Sequence, residues 1–105
     1  AVVQGIGAAL FEECLYDEDG SIRNGSMADY LVPMAAEMPD IFVSHVQSPT
    51  KSSRLGAKGA GEAGTAGAPG AVVNAINDAL SPFGVTVNSQ PVTPEKILRA
   101  LGRIG

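Results

Sequence analysis

Between Gly56 and Gly70 the chain places 6 of its 13 glycines. Glycine loses more backbone freedom on folding than any other residue, so a tract this dense is ordered only by turns, close backbone approach or a ligand. Its centre, Lys58-Gly59-Ala60-Gly61-Glu62-Ala63-Gly64-Thr65, contains the spacing G-x-G-x-x-G. That spacing sets a pyrophosphate on a helix start only when a strand precedes it and a ribose-binding acid follows the next strand. Residues 52–58 do not read as a strand, and no acid follows the strand candidate at Val85–Val87. Glu62 also puts a negative charge where a phosphate would lie. A P-loop fails as well, because Gly59 follows Lys58 where Ser or Thr is required. Two readings stand from the residues alone. Either the glycines serve backbone packing, or they mount Glu62 close to a ligand, with Lys58 nearby in sequence.

Around the tract the periodicity predicts three helices. The first is an opening helix to about Glu13, with Val3, Ile6 and Leu10 on one face. Gly5 and Gly7 interrupt it, which suggests another backbone or a ligand packed against it. The second starts near Pro69, carries Val72, Val73, Ile76, Ala79 and Leu80 at helical spacing, and is stopped by Pro82 and Gly84. The third opens on Thr93-Pro94 as N-cap and first helical residue, with Ile97, Leu98, Leu101 and Ile104 as its apolar stripe. Asp19-Gly20 predicts a hairpin turn between short strands near Leu15-Tyr16 and Ser21–Arg23. Residues 41–47, IFVSHVQ, are the best strand candidate, and residues 24–40 read as an irregular connection. The expected class is α+β, about three helices with a small sheet that includes one hairpin.

A length of 105 residues allows one domain, and 45% hydrophobic content is enough for a core. The opening residues are already in helical rhythm with no cap before them, so a fragment of a longer polypeptide is expected. With a net charge of −4 and no basic cluster, the chain lacks the footprint of a nucleic-acid surface. No apolar run reaches the ~20 residues of a transmembrane helix, and no signal peptide is visible. One cysteine, Cys14, precludes an internal disulfide and fits a reducing, cytoplasmic setting.

Four segments then come in the order and spacing of one family: AVVQGIGAALFEECLYDEDG, DYLVPMAAEMPDIFV, LGAKGAGEAGTAGAPGAVVNAINDALSPFGV and TPEKILRAL. They resemble the C-terminal part of the large, molybdopterin-binding subunit of xanthine oxidase family molybdenum hydroxylases, nearest to the aerobic carbon monoxide dehydrogenase type. The resemblance spans essentially residues 1–105, and K-G-x-G-E-A-G is its most specific element. It implies that Glu62 is the catalytic base acting on water-derived oxygen during oxidation of carbon monoxide, an aldehyde or an N-heterocycle. It further implies that Lys58, Gly59, Ala60 and Gly61, with Gln4 and Gly5, lie against a molybdopterin dinucleotide. Iron–sulfur and FAD partner subunits would carry the electrons away, copper would occur in the carbon monoxide branch, and the remainder of the large subunit would complete the site. The isolated chain would then be inactive.

Two other functions fit the same residues: a catalytically silent α+β module that uses the glycines for packing, or a phosphate- or nucleotide-binding domain. No metal ligand is assigned. His45 lacks partners and reads as structural or exposed. Cys14 reads as a buried small hydrophobe, and Met27, Met34 and Met38 as core filler. Arg99 and Arg103 are expected to face solvent or a neighbouring subunit.

Overall fold

The computed structural model describes residues 1–105 as three α-helices linked by turns and irregular segments: α1 (Val2–Leu10), α2 (Ala63–Leu80) and α3 (Pro94–Ala100). Short 3-10 turns occur at Ala35–Glu37 and Ser81–Phe83. Three helices were expected, but the sheet is absent and the class is not α+β. The Asp19-Gly20 turn forms, with Asp17 N–H donating to Ser21 C=O at 2.8 Å and Arg23 N–H to Leu15 C=O at 2.7 Å. It yields one isolated antiparallel bridge, Tyr16 to Ile22, because a two-stranded ribbon standing alone is marginal in water. Residues 41–47 and 85–87 form no strand, and no backbone hydrogen bond pairs either with another segment. β-Propensity records fitness for a half-buried pleated surface, and Phe42 here is 95% exposed.

α2 starts at Ala63, six residues before the expected position, so Pro69 lies inside the helix. Gly64, Gly67, Gly70 and Pro69 each weaken it, by about 1 kcal/mol per Gly and about 3 kcal/mol for the Pro. Packing against α1 offsets this. A Cβ placed on Gly5 would sit 2.8 Å from Ala68 Cβ and 3.0 Å from Pro69 Cδ; one placed on Gly64 would sit 2.8 Å from Val2 N. The helices therefore meet backbone to backbone through one glycine from each, and Thr65 Oγ1 donates to Ala1 C=O at 3.1 Å. At its other end α2 passes into the 3-10 turn and stops at Gly84, whose φ of 66° is left-handed. α3 begins as expected, the Thr93 hydroxyl accepting from Lys96 N–H at 3.3 Å.

The core is small. Leu80, Val87 and Val92 are buried, with Leu10, Val73, Ile76 and Ile97 packed around them, which draws α1, the end of α2 and α3 together. Val92 N–H donates to Ala9 C=O at 2.6 Å. Asn77 serves both backbone groups of buried Val87, accepting from its N–H at 2.8 Å and donating to its C=O at 3.1 Å. Asn77→Ala is therefore expected to lower stability by about 1–3 kcal/mol, read as a reduced denaturation midpoint, because Val87 is left with unpaired polar groups.

Only 8 of 105 residues are buried, and the radius of gyration is 17.5 Å. A compact domain of this length would have about 13 Å. Contrary to expectation, Cys14 is exposed, and Met27 and Met34 are 76% and 66% exposed, so they are not core filler of this chain. Arg103 is exposed as expected, and Arg99 pairs with Glu95 at 2.9 Å on the α3 surface. No helix is long and apolar enough to cross a membrane.

Near the end of α1, the Tyr30 hydroxyl donates to Glu12 Oε1 at 3.0 Å. That hydrogen bond is the main cause raising the Tyr30 phenol above its ordinary pKa, with desolvation second. A raised folded-state value makes the contribution to stability complete below the unfolded phenol's pKa and lost as pH rises through the folded one. Glu12→Gln is expected to bring the Tyr30 titration down, measured by phenolate absorbance against a Tyr30→Phe control. An unmoved titration would count against the bond.

Candidate functional site

The glycine tract enters α2 along one wall of an open cleft of about 950 Å³. One side of the cleft is the start of α1 at Ala1–Val3. Residues 43–49 form a second wall, and Lys58, Gly59, Ala60, Ala63 and Gly64 form the third. The walls converge because Gly64 lies against Val2, which ties the two helix starts together.

Within this frame the glycines divide. Gly64 and Gly5 are required by the contact between α1 and α2. At Gly59 and Gly61 an added Cβ would meet nothing within 4 Å, so the chain's own packing gives no reason for glycine at either. Gly59 lines the cleft, leaving room for backbone to approach something lying in it. Gly61 is exposed and lies outside the lining.

Glu62 is the N-cap residue of α2, but its side chain does not cap the helix. It takes part in none of the three ion pairs, Arg23–Asp17, Lys96–Glu13 and Arg99–Glu95. It is exposed at the cleft margin, between lining residues Ala60 and Ala63. Lys58 is also exposed and donates from Nζ to Ser48 Oγ at 2.6 Å. Gln4 is exposed one residue beyond the lining residue Val3, whereas Gly5 is buried beneath α2. The structure thus brings Lys58, Gly59 and Ala60 into one wall, keeps Glu62 at its margin, and leaves Gln4 and Gly5 on α1.

Sequence reasoning passed over three polar members of the facing wall, Ser44, Gln47 and Ser48. Their signal was the interleaving of polar side chains in a segment read for its apolar ones. His45 is exposed, as expected, and lies in the cleft.

The donor set suits an anionic organic group. Residues 41–61 carry Lys51, Arg54 and Lys58 and no acid, and the start of α2 adds the positive end of a helix dipole. No three His, Cys, Asp or Glu side chains form a metal-holding group. The chain would therefore surround such a group with backbone, a cation and the single carboxylate Glu62.

Residues 1–39 match the model of a molybdopterin cofactor-binding domain. The chain is similar to the nicotine 6-hydroxylase large subunit of Paenarthrobacter nicotinovorans, with 46% identity over 94% of this chain and 12% of that one. Among solved structures it is similar to quinoline 2-oxidoreductase from Pseudomonas putida 86, with 38% identity and a TM-score of 0.88 over 99% of this chain and 13% of that one. It is also similar to carbon monoxide dehydrogenase from Oligotropha carboxidovorans, with 28% identity and a TM-score of 0.83 over 96% and 13%. The chain spans about an eighth of the length of these relatives.

Proposed function

We propose, from the premise that this chain belongs to the molybdenum-binding large subunits of the xanthine oxidase family, that Glu62 is the catalytic base of the complete enzyme. On this reading residues 1–105 are a piece from the C-terminal part of the molybdopterin-binding domain. The observation that carries it is the state of Glu62. It is the one acid beside a cleft lined by apolar residues such as Val2, Ile41, Val43 and Val46 together with small, polar and basic ones, and neither capping nor ion pairing occupies it. A side chain with no structural duty, on a backbone held by helix packing, is free to serve a reacting group.

The bound molybdopterin dinucleotide would supply a two-electron acceptor and the place where water-derived oxygen reaches a carbon centre. The chain's own residues then have separate tasks. Gly59 and Gly61 admit the group close to the backbone. Lys58 and the start of α2 offset its negative charge. The Glu62 carboxylate takes the proton that water must lose before its oxygen can attack. Iron–sulfur and flavin partner subunits receive the electrons. The substrate class favoured is an N-heterocycle, because the nicotine enzyme, at 46% identity, is more similar than an aldehyde oxidoreductase at 38% and the carbon monoxide enzyme at 28%.

Glu62→Gln in the complete enzyme, assayed with a pyridine- or quinoline-type substrate, tests the proposal. Loss of turnover at full molybdenum content is expected, and unchanged turnover overturns the base assignment. A complete enzyme that oxidises an aldehyde or carbon monoxide but no N-heterocycle overturns the substrate class.

A further inference from the structure

The loop that leads into the Glu62 segment is closed on itself. Thr50 N–H donates to Gly56 C=O at 3.1 Å, and Gly56 N–H donates to Ser53 C=O at 3.1 Å. Ser53 Oγ donates to Ala57 C=O at 3.0 Å, and Ser52 N–H donates to Thr50 Oγ1 at 3.1 Å. Gly56 turns the chain at a φ of 69° with Pro49 against it, an added Cβ there falling 3.3 Å from Pro49 Cβ. At the loop's mouth, ten residues apart in sequence, Lys58 Nζ meets Ser48 Oγ at 2.6 Å. Ser48 and Lys58 both line the cleft, on facing walls. No backbone hydrogen bond connects residues 41–49 to residues 58–62.

We propose that Ser48 and Lys58 form a clasp that sets the position of the Gly59–Glu62 segment, making both positioning residues for Glu62. Gly59 and Gly61 have wide backbone conformational range and no neighbour within 4 Å where a side chain would be, so the turn that carries Glu62 is held locally by one long backbone bond alone, Ala63 N–H donating to Ala60 C=O at 3.3 Å. At its far end the turn is fixed by α2, through Ala66 N–H donating to Glu62 C=O at 2.9 Å. At its near end the closed loop and the clasp supply the only anchor. A charge-assisted bond to a hydroxyl suits this role, since an ammonium has three donors and can keep one on Ser48 while facing an anion with the others. This inference rests on the proposed role of Glu62 for its functional consequence, but not for its structural one.

The test uses the complete protein with Ser48→Ala, Lys58→Met and the double variant. Amide hydrogen exchange of Thr50, Gly56 and Ala63, whose N–H groups donate to Gly56, Ser53 and Ala60 C=O within the loop and the turn, reads the clasp without reference to activity. Either single variant is expected to accelerate exchange there by roughly threefold to tenfold, the range for one exposed hydrogen bond to a charged group. The double variant should do no more than the stronger single one, since both remove the same bond. Ser48→Thr, which keeps the hydroxyl, should restore the parent rate. Exchange unchanged in Ser48→Ala, or effects that add in the double variant, overturns the clasp. In the steady state the clasp predicts a fall in kcat with KM little changed for Ser48→Ala. If exchange responds as expected while Glu62→Gln leaves turnover intact, the clasp stands and the base assignment falls.

Discussion

Replacing Glu62 by Gln in the complete enzyme is expected to lower turnover by about 10²–10⁴-fold, the usual contribution of a positioned general base. That range corresponds to about 3–5 kcal/mol of transition-state stabilisation. Glutamine keeps the shape and exposure of the side chain but cannot accept the proton. Because Glu62 caps nothing and pairs with nothing, its loss leaves α2 and the helix contact as they are. Molybdenum content and the denaturation midpoint should therefore match the parent, which separates this variant from one that merely unfolds. If the glycines served packing alone, the same variant would turn over at the parent rate.

The second large effect concerns the glycines and falls on stability at some positions but on cofactor content at another. Gly64→Val forces branched atoms onto Val2 N, only 2.8 Å from where the first carbon would stand. Gly5→Val meets Ala68 and Pro69 in the same way. Overpacking usually costs about 1–3 kcal/mol, and backbone atoms among the neighbours place both variants near the top of that range. A loss of about 3 kcal/mol lowers the folded-to-unfolded ratio more than 100-fold. Gly59→Ala meets no atom of the chain, so its midpoint should stay with the parent while cofactor content falls. Midpoints that fall equally at Gly59 and Gly64 would contradict this division. Parent-like stability in Gly64→Val would contradict the packing of α1 on α2.

The parts of the fold legible in the sequence are those decided within a few residues. Thr93-Pro94 announces α3 because capping and a preset φ act inside one turn. Pro82 and Gly84 mark the end of α2 for the same kind of reason. The start of α2 is not legible locally, because three glycines and a proline lower helix propensity and contact with α1 makes up the difference. IFVSHVQ has the composition of a strand yet forms none, because no backbone hydrogen bond pairs it with another segment. Ser48 was missed because its relation to Lys58 depends on how a ten-residue loop closes.

Three helices, the family, and a carboxylate within a phosphate-like glycine spacing are all legible along the chain. Those follow from local hydrogen bonding, periodicity and residue identity, all of which lie along the chain. Which glycine serves which purpose depends on how distant segments pack. Gly5 and Gly64 are glycine because two backbones meet there, whereas Gly59 and Gly61 face open space beside Glu62. A glycine's role depends on what stands where its side chain would be. At Gly5 and Gly64 that neighbour lies more than fifty positions away in the chain.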